Sequence, residues 1–155
     1  MSDVKDLQPY AGNDEGLVGV LEDLRATMPS AIVFKVTGYN TTVFENVTQG
    51  DALYSRASDG QVGKAIANSS LDQATVAGFA ETTKTAGQTV KVIVAGQIAT
   101  AQTLEPGELY FLSNTTTGRV IKIPPTTAGQ YVTPVGEAGS TNELIIRIKR
   151  PILLR

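Results

Sequence analysis

The sequence contains no cysteine, no histidine and no tryptophan. Without cysteine there is no disulfide, no thiol nucleophile and no thiolate metal site. Without histidine the chain lacks the commonest general base, the commonest zinc ligand and the usual charge switch near neutral pH. Charged residues make up only 18% of the 155, and the net charge of −2 with a pI near 5.1 leaves no basic excess of the kind that displaces counterions from nucleic acid. No apolar run approaches membrane-spanning length, and Met1-Ser2-Asp3 does not open a signal peptide. These absences point to a protein made in the cytoplasm, without a general secretion signal, a cofactor, a nucleic-acid partner or a membrane partner.

What is present is a β composition: 41% hydrophobic residues and 15 glycines, many threonines, and few helix formers after residue 30. The chain is organised around an internal repeat. Gly107-Glu108-Leu109-Tyr110-Phe111-Leu112 is followed by a polar loop and Gly118-Arg119-Val120-Ile121-Lys122, which reads as a β-hairpin. Fifty-seven residues earlier stands Gly50-Asp51-Ala52-Leu53-Tyr54, a loop, then Gly60-Gln61-Val62-Gly63-Lys64. Each hairpin is followed by a matching pair: Val76 to Glu81 with Thr89 to Val94, and Val135 to Ala138 with Leu144 to Lys149. This predicts an all-β fold, a small duplicated antiparallel β-barrel or sandwich with repeats at about 50–95 and 107–149 inside a β domain of 31–155. Leu53-Tyr54 and Leu109-Tyr110 are expected to be equivalent.

Residues 1–30 read as an arm with a short α-helix. Asn13 or Asp14 caps it, Leu17, Leu21, Leu24 and Met28 share one face, and Pro29 stops it. Gly16 and Gly19 each weaken it by roughly 1 kcal/mol relative to Ala. The arm carries two basic residues against six acidic ones, and the last thirteen residues carry four basic against one acidic. Opposite ends of opposite sign can meet between subunits or remain two solvated surfaces.

Ala31 to Val36 and Thr41 to Val47 are predicted strands, with Gly38 and Asn40 turning between them. In the last strand of each repeat, Val90, Val92 and Val94, and Leu144, Ile146 and Ile148, face a core by alternation. Ile93 and Ile145 then lie on an outer face, which another element or a sister subunit must cover. Pro124-Pro125 forces an extended link, and Pro151 ends the last ladder. The apolar Ile152, Leu153 and Leu154 then either close the domain or dock on a neighbour.

Four features invite chemistry and are answered by structure. Asn40, Asn46, Asn68 and Asn114 head N-x-S/T triplets, which are what Thr-rich turns look like. Asp51 and Glu108 suggest a carboxylate pair for glycoside hydrolysis, but each follows a glycine at a strand start, where a turn acid is expected. Tyr54 and Tyr110 read as strand tyrosines with bonded hydroxyls. Gly60-x-x-Gly63 has neither the Gly-Lys-Ser/Thr nor the helix of a phosphate loop. No nucleophile, base and oxyanion donor come together, so no catalytic residue, no metal ligand and no enzyme activity is expected.

The run from about Gly50 to Leu154 resembles a β module of tailed-phage virion proteins. The likeness is carried by Gly50 to Tyr54, Gly60 to Ala65, Leu104-Glu105-Pro106-Gly107-Glu108-Leu109-Tyr110-Phe111-Leu112-Ser113, Ala128-Gly129 and Val135 to Ala138. The resemblance implies a structural virion component, commonly trimeric, on the capsid exterior: a decoration (cement) protein that binds the major capsid protein. The alternative is a tail- or head-fibre module that binds a host receptor or glycan, a role that usually needs a fibrous shaft and exposed aromatics. On this expectation the capsid-binding candidates are Val4, Leu7, Tyr10, Leu17, Leu21 and Leu24. The candidates for a homotrimer contact are Ile93, Ile145, Ile152, Leu153 and Leu154.

Overall fold

The computed structural model describes residues 35–155; the predicted arm, its helix and most of the strand expected at 31–36 lie outside the described residues. The fold is nearly all β, 42% strand and 3% helix, with a curled antiparallel sheet that forms a half-barrel. The strands are β1 (Thr37–Thr42), β2 (Ala52–Ser55), β3 (Val62–Lys64), β4 (Gly78–Ala80), β5 (Thr89–Ala99), β6 (Leu109–Leu112), β7 (Val120–Ile121), β8 (Tyr131–Val132), β9 (Pro134–Ser140), β10 (Glu143–Ile146) and β11 (Ile152–Leu153). One short helix, α1 (Leu71–Ala74), follows β3; Ser70 Oγ accepts its Gln73 N–H, an N-cap that the sequence offers as Ser-x-x-Gln.

Both predicted hairpins form, β2 with β3 and β6 with β7. Their partners follow in the predicted order, so the ladder runs β3-β2-β4-β5-β10-β9-β6-β7, with β1 also on β5. The eleven-residue β5 carries both repeats, β4 pairing at Val92–Ile93 and β10 at Gly96–Ala99.

The repeats match bond for bond. Gly50 and Gly107 each sit at positive φ, 84° and 85°, in the third place of a hydrogen-bonded reverse turn, where only glycine avoids strain. Each donates its N–H to an alanine carbonyl, Ala80 or Ala138, at 2.8 Å in both cases, and that alanine N–H returns to the carbonyl of Asp51 or Glu108 at 3.0 Å. Further along, Leu53 pairs with Gly78 and Tyr110 with Gly136. A Cβ on either glycine would come within 2.7 or 2.0 Å of the Ile93 or Ile145 carbonyl, so both are glycine for the same close approach.

This register corrects the expected equivalence by one residue: Leu53 corresponds to Tyr110, Tyr54 to Phe111 and Ala52 to Leu109. Side chains alternate along a strand, so a one-residue difference exchanges faces. The repeats therefore present opposite faces to their shared core. Repeat one contributes Ala52, Tyr54, Phe79 and Ile93, while repeat two contributes Tyr110, Leu112, Ala138, Leu144 and Ile146. The change of face is visible within β5. Ile93 and Ile98 both enter this core, although five residues apart, because the register with β1 shifts between Thr37 and Gly38 and Gly96 adopts φ 104°. A bulge of this kind bends a strand and resets its alternation.

The other face of repeat one, Leu53, Ala80, Val90 and Val92, builds a second cluster with Val62. Val43 and Val47, at 0% and 2% exposure, close it. Of the strand expected at 41–47, Thr41 and Thr42 end β1, and the rest, Val43 to Val47, is a covering segment held by short bridges to Val62 and Lys84. The expected turn at Gly38–Asn40 is strand instead, in β1. Its Gly38 is there for close approach, since a Cβ would lie 2.4 Å from Val92 O. The curled sheet is stitched where its ends meet: Ala52 N donates to Gly118 O, Gly118 N to Ala65 O, Ala67 N to Ser113 O and Tyr131 N to Ala67 O, all at 2.8–2.9 Å.

Candidate interaction surface

Two repeats have four sheet faces, and three are buried. The fourth, the outer face of repeat two, carries Leu109, Phe111, Glu137 and Ile145, the equivalents of the buried Ala52, Tyr54, Phe79 and Ile93. Leu109 is 62% exposed, and Phe111, Ile145 and the Phe111 partner Ile121 are half-buried. Beside them lies an open hollow of about 270 Å³ lined by Leu109, Tyr110, Phe111, Pro134 and Gly136, with Arg147 and Lys149 on its rim. Arg147 makes a loose 3.4 Å pair with Glu137 and stays 63% exposed. Lys149 makes no ion pair among the described residues. The hollow is small beside sites that take drug-sized ligands; its scale suits a single large apolar side chain.

A second apolar patch continues from the same edge. β10 ends at Ile146, and the chain then follows the start of β9, Lys149 N donating to Pro134 O at 2.9 Å. Past Pro151 it pairs again as β11 with β8. Ile152 and Leu153 are exposed, 60% and 43%, and Leu154 is half-buried.

The sequence candidates fall into separate places. Ile93, expected on an outer face, is a core residue at 1% exposure; its cover comes from the chain itself, because repeat two packs on it. Its equivalent Ile145 has no such cover among the described residues. The alternation argument could not separate the two because it treated both repeats as turned the same way. The six arm candidates lie outside the described residues. Sequence reasoning missed Leu109 and Phe111 as surface groups; the Gly-acid anchor, counted strictly, would have aligned Leu109 with Ala52.

Asp51 and Glu108 are turn acids. Asp51 is 4% exposed and its Oδ2 accepts the Thr48 N–H at 2.8 Å, while Glu108 is exposed. Burial raises the Asp51 carboxyl above its ordinary value, opposed by the Thr48 N–H and by Arg119 and Lys64. Tyr54 and Tyr110 are buried. The Tyr110 hydroxyl accepts the Glu105 N–H at 2.8 Å and the Tyr54 hydroxyl faces Gln73 Nε2 at 3.5 Å, so neither ring is a free stacking platform. Among the described residues no group of three or more Asp and Glu side chains is placed to hold a metal, and no helix is long and apolar enough to cross a membrane. No protein-family model matches this sequence, and no curated protein matches it.

Proposed function

We propose that the protein is a structural virion component, a decoration (cement) protein that binds the outside of a phage head and bridges major capsid subunits. The observation that carries this reading is the open apolar face of repeat two on a body whose other three faces are packed. A protein whose task is adhesion needs such a face and needs no reacting groups. The resemblance of residues 50–154 to tailed-phage virion modules supports it from the sequence side. Repetition over a symmetric shell turns a modest contact into a strong one through multivalency. The protein acts as a homotrimer, with Ile152, Leu153 and Leu154 in the subunit contact, and the arm adds capsid contacts through Val4, Leu7, Tyr10, Leu17, Leu21 and Leu24.

Purified protein mixed with undecorated heads tests the proposal. Saturable binding to heads, and none to host cells, is the expected result. Binding to whole cells alone would instead favour a fibre module that recognises a receptor or glycan. Versions lacking residues 1–12 or 1–30 belong in the same assay: if both fold and saturate heads with unchanged affinity, the arm is not an anchor.

A further inference from the structure

We infer that the outer face of repeat two docks a short, acidic segment of the shell subunit, with one large apolar side chain seated in the hollow beside Leu109 and Phe111 and its carboxylates against Arg147 and Lys149. The source of the segment rests on the cement reading; the chemistry of the face does not.

The molecule shows how one of its own outer faces is covered. On repeat one the cover is Val43-Phe44-Glu45-Asn46-Val47, an irregular stretch that bends at Phe44 and Glu45. Val43 and Val47 point into the sheet cluster, and Phe44 packs edge-on to Tyr54 with centroids 5.9 Å apart. Main-chain bonds hold both ends: Val43 N to Gln88 O, Phe44 N to Val62 O and Val47 N to Lys84 O, at 2.9–3.1 Å. The Glu45 carboxylate accepts the Lys64 N–H at 2.8 Å. A short segment with apolar groups four residues apart and one acid therefore suffices to seal a sheet face here. Repeat two has the equivalent need and, among the described residues, no such cover.

Charge selects the occupant. The rim of the hollow sets Arg147 and Lys149 against the single Glu137 that Arg147 loosely pairs, and Arg150 and Arg155 extend this basic excess toward the chain end. An acidic segment is drawn to it, in a salt-dependent way. A second copy fits poorly. The complementary face is the Leu53, Ala80 and Val92 side of repeat one, and Val43 and Val47 already seal it. Two outer faces of repeat two meeting each other would set Arg147 and Lys149 against their own counterparts.

Full-length protein is compared with Leu109→Asp, with R147E/K149E and with Leu71→Asp, which alters an exposed apolar residue of α1 outside this face. Thermal melting first establishes that each is folded. Bound copies per undecorated head are then measured against concentration at about 50 and about 500 mM salt, which brackets strong and weak screening. The expected result is at least a tenfold loss of apparent affinity for Leu109→Asp, loss of most of the salt dependence for R147E/K149E, and no change for Leu71→Asp. Leu109→Asp decorating heads with wild-type affinity would overturn the docking face while leaving the cement reading intact. Wild-type protein that ignores heads would instead overturn the cement reading. The face is then judged by titrating isotope-labelled protein with a synthetic peptide of residues 42–48 (TVFENVT). Shifts at the Leu109, Phe111, Ile145 and Arg147 amides sustain it, and their absence overturns it. Sedimentation decides the occupant: an oligomer that Leu109→Asp dissociates would mean that a second copy sits on the face.

Discussion

Replacing Phe79 by alanine tests whether the two repeats form one cooperative body. Phe79 is fully buried and among the largest core side chains. It lies on β4 of repeat one, paired with Ala52 and Ile93, and its ring enters the cluster that holds Leu144, Ala138 and Tyr110 of repeat two. Removing a buried phenylalanine costs about 3–5 kcal/mol through lost transfer energy and the cavity left behind. Against a total of about 5–15 kcal/mol for a domain of this size, that is a large fraction, and it lowers the melting midpoint by about 10–25 °C. The informative assay is amide-resolved NMR during heating. Because the cavity opens on the interface between repeats, the amides of Leu53 and Ala80 and those of Ala138 and Leu144 should lose their native signals together at the lowered temperature. If the repeat-two amides kept the wild-type midpoint while repeat one melted early, the shared core would not couple the halves, and the opposed-face packing would be wrong.

Gly50 and Gly107 share one backbone conformation but not one environment. Gly107→Ala meets open space and should cost only the left-handed backbone strain, about 1–2 kcal/mol. Gly50→Ala would also place its Cβ 2.5 Å from Thr100 Cα, adding about 1–3 kcal/mol of overpacking; equal losses in urea melts would contradict the described surroundings. Asp51 gives a pH signature. Its folded carboxyl titrates above the ordinary 3.8, so the folded chain holds that proton more tightly than the unfolded one. Its contribution therefore grows as pH falls from neutral through the folded value, and is complete below 3.8. The stability of wild type relative to Asp51→Asn should rise on acidification in that window, and a flat or falling difference in melts at several pH values would refute it.

The duplicated hairpins could be read from the sequence because turn chemistry is local: a glycine at positive φ and an acid after it mark the same turn twice. The orientation of the repeats could not. It depends on a bulge in the middle of β5, where Gly96 looks like any strand glycine until Lys35 and Val36 pass against it, with a Cβ only 2.7 Å from Lys35 O. Gly38 misled for the same reason, since a glycine needed for close approach and one needed for a turn are identical in sequence. Val43 to Val47 reads as a strand by composition yet serves as a lid, because β1 already pairs with the stretch of β5 beside β4. The open face followed from these misplacements. Ile145 was recognised as outward, but Leu109 and Phe111 were hidden by aligning the two Leu-Tyr pairs with each other. The hydrogen-bond register puts Tyr110 where Leu53 stands, as a count from the paired glycines also does.

Copy number in the assembled particle tests the central claim most directly. Quantitative mass spectrometry of purified virions, scaled to the major capsid protein, should find this chain on the order of hundreds of copies per particle, as repeated shell contacts require. A few copies to a few dozen would contradict the cement reading and place the protein in a tail or fibre.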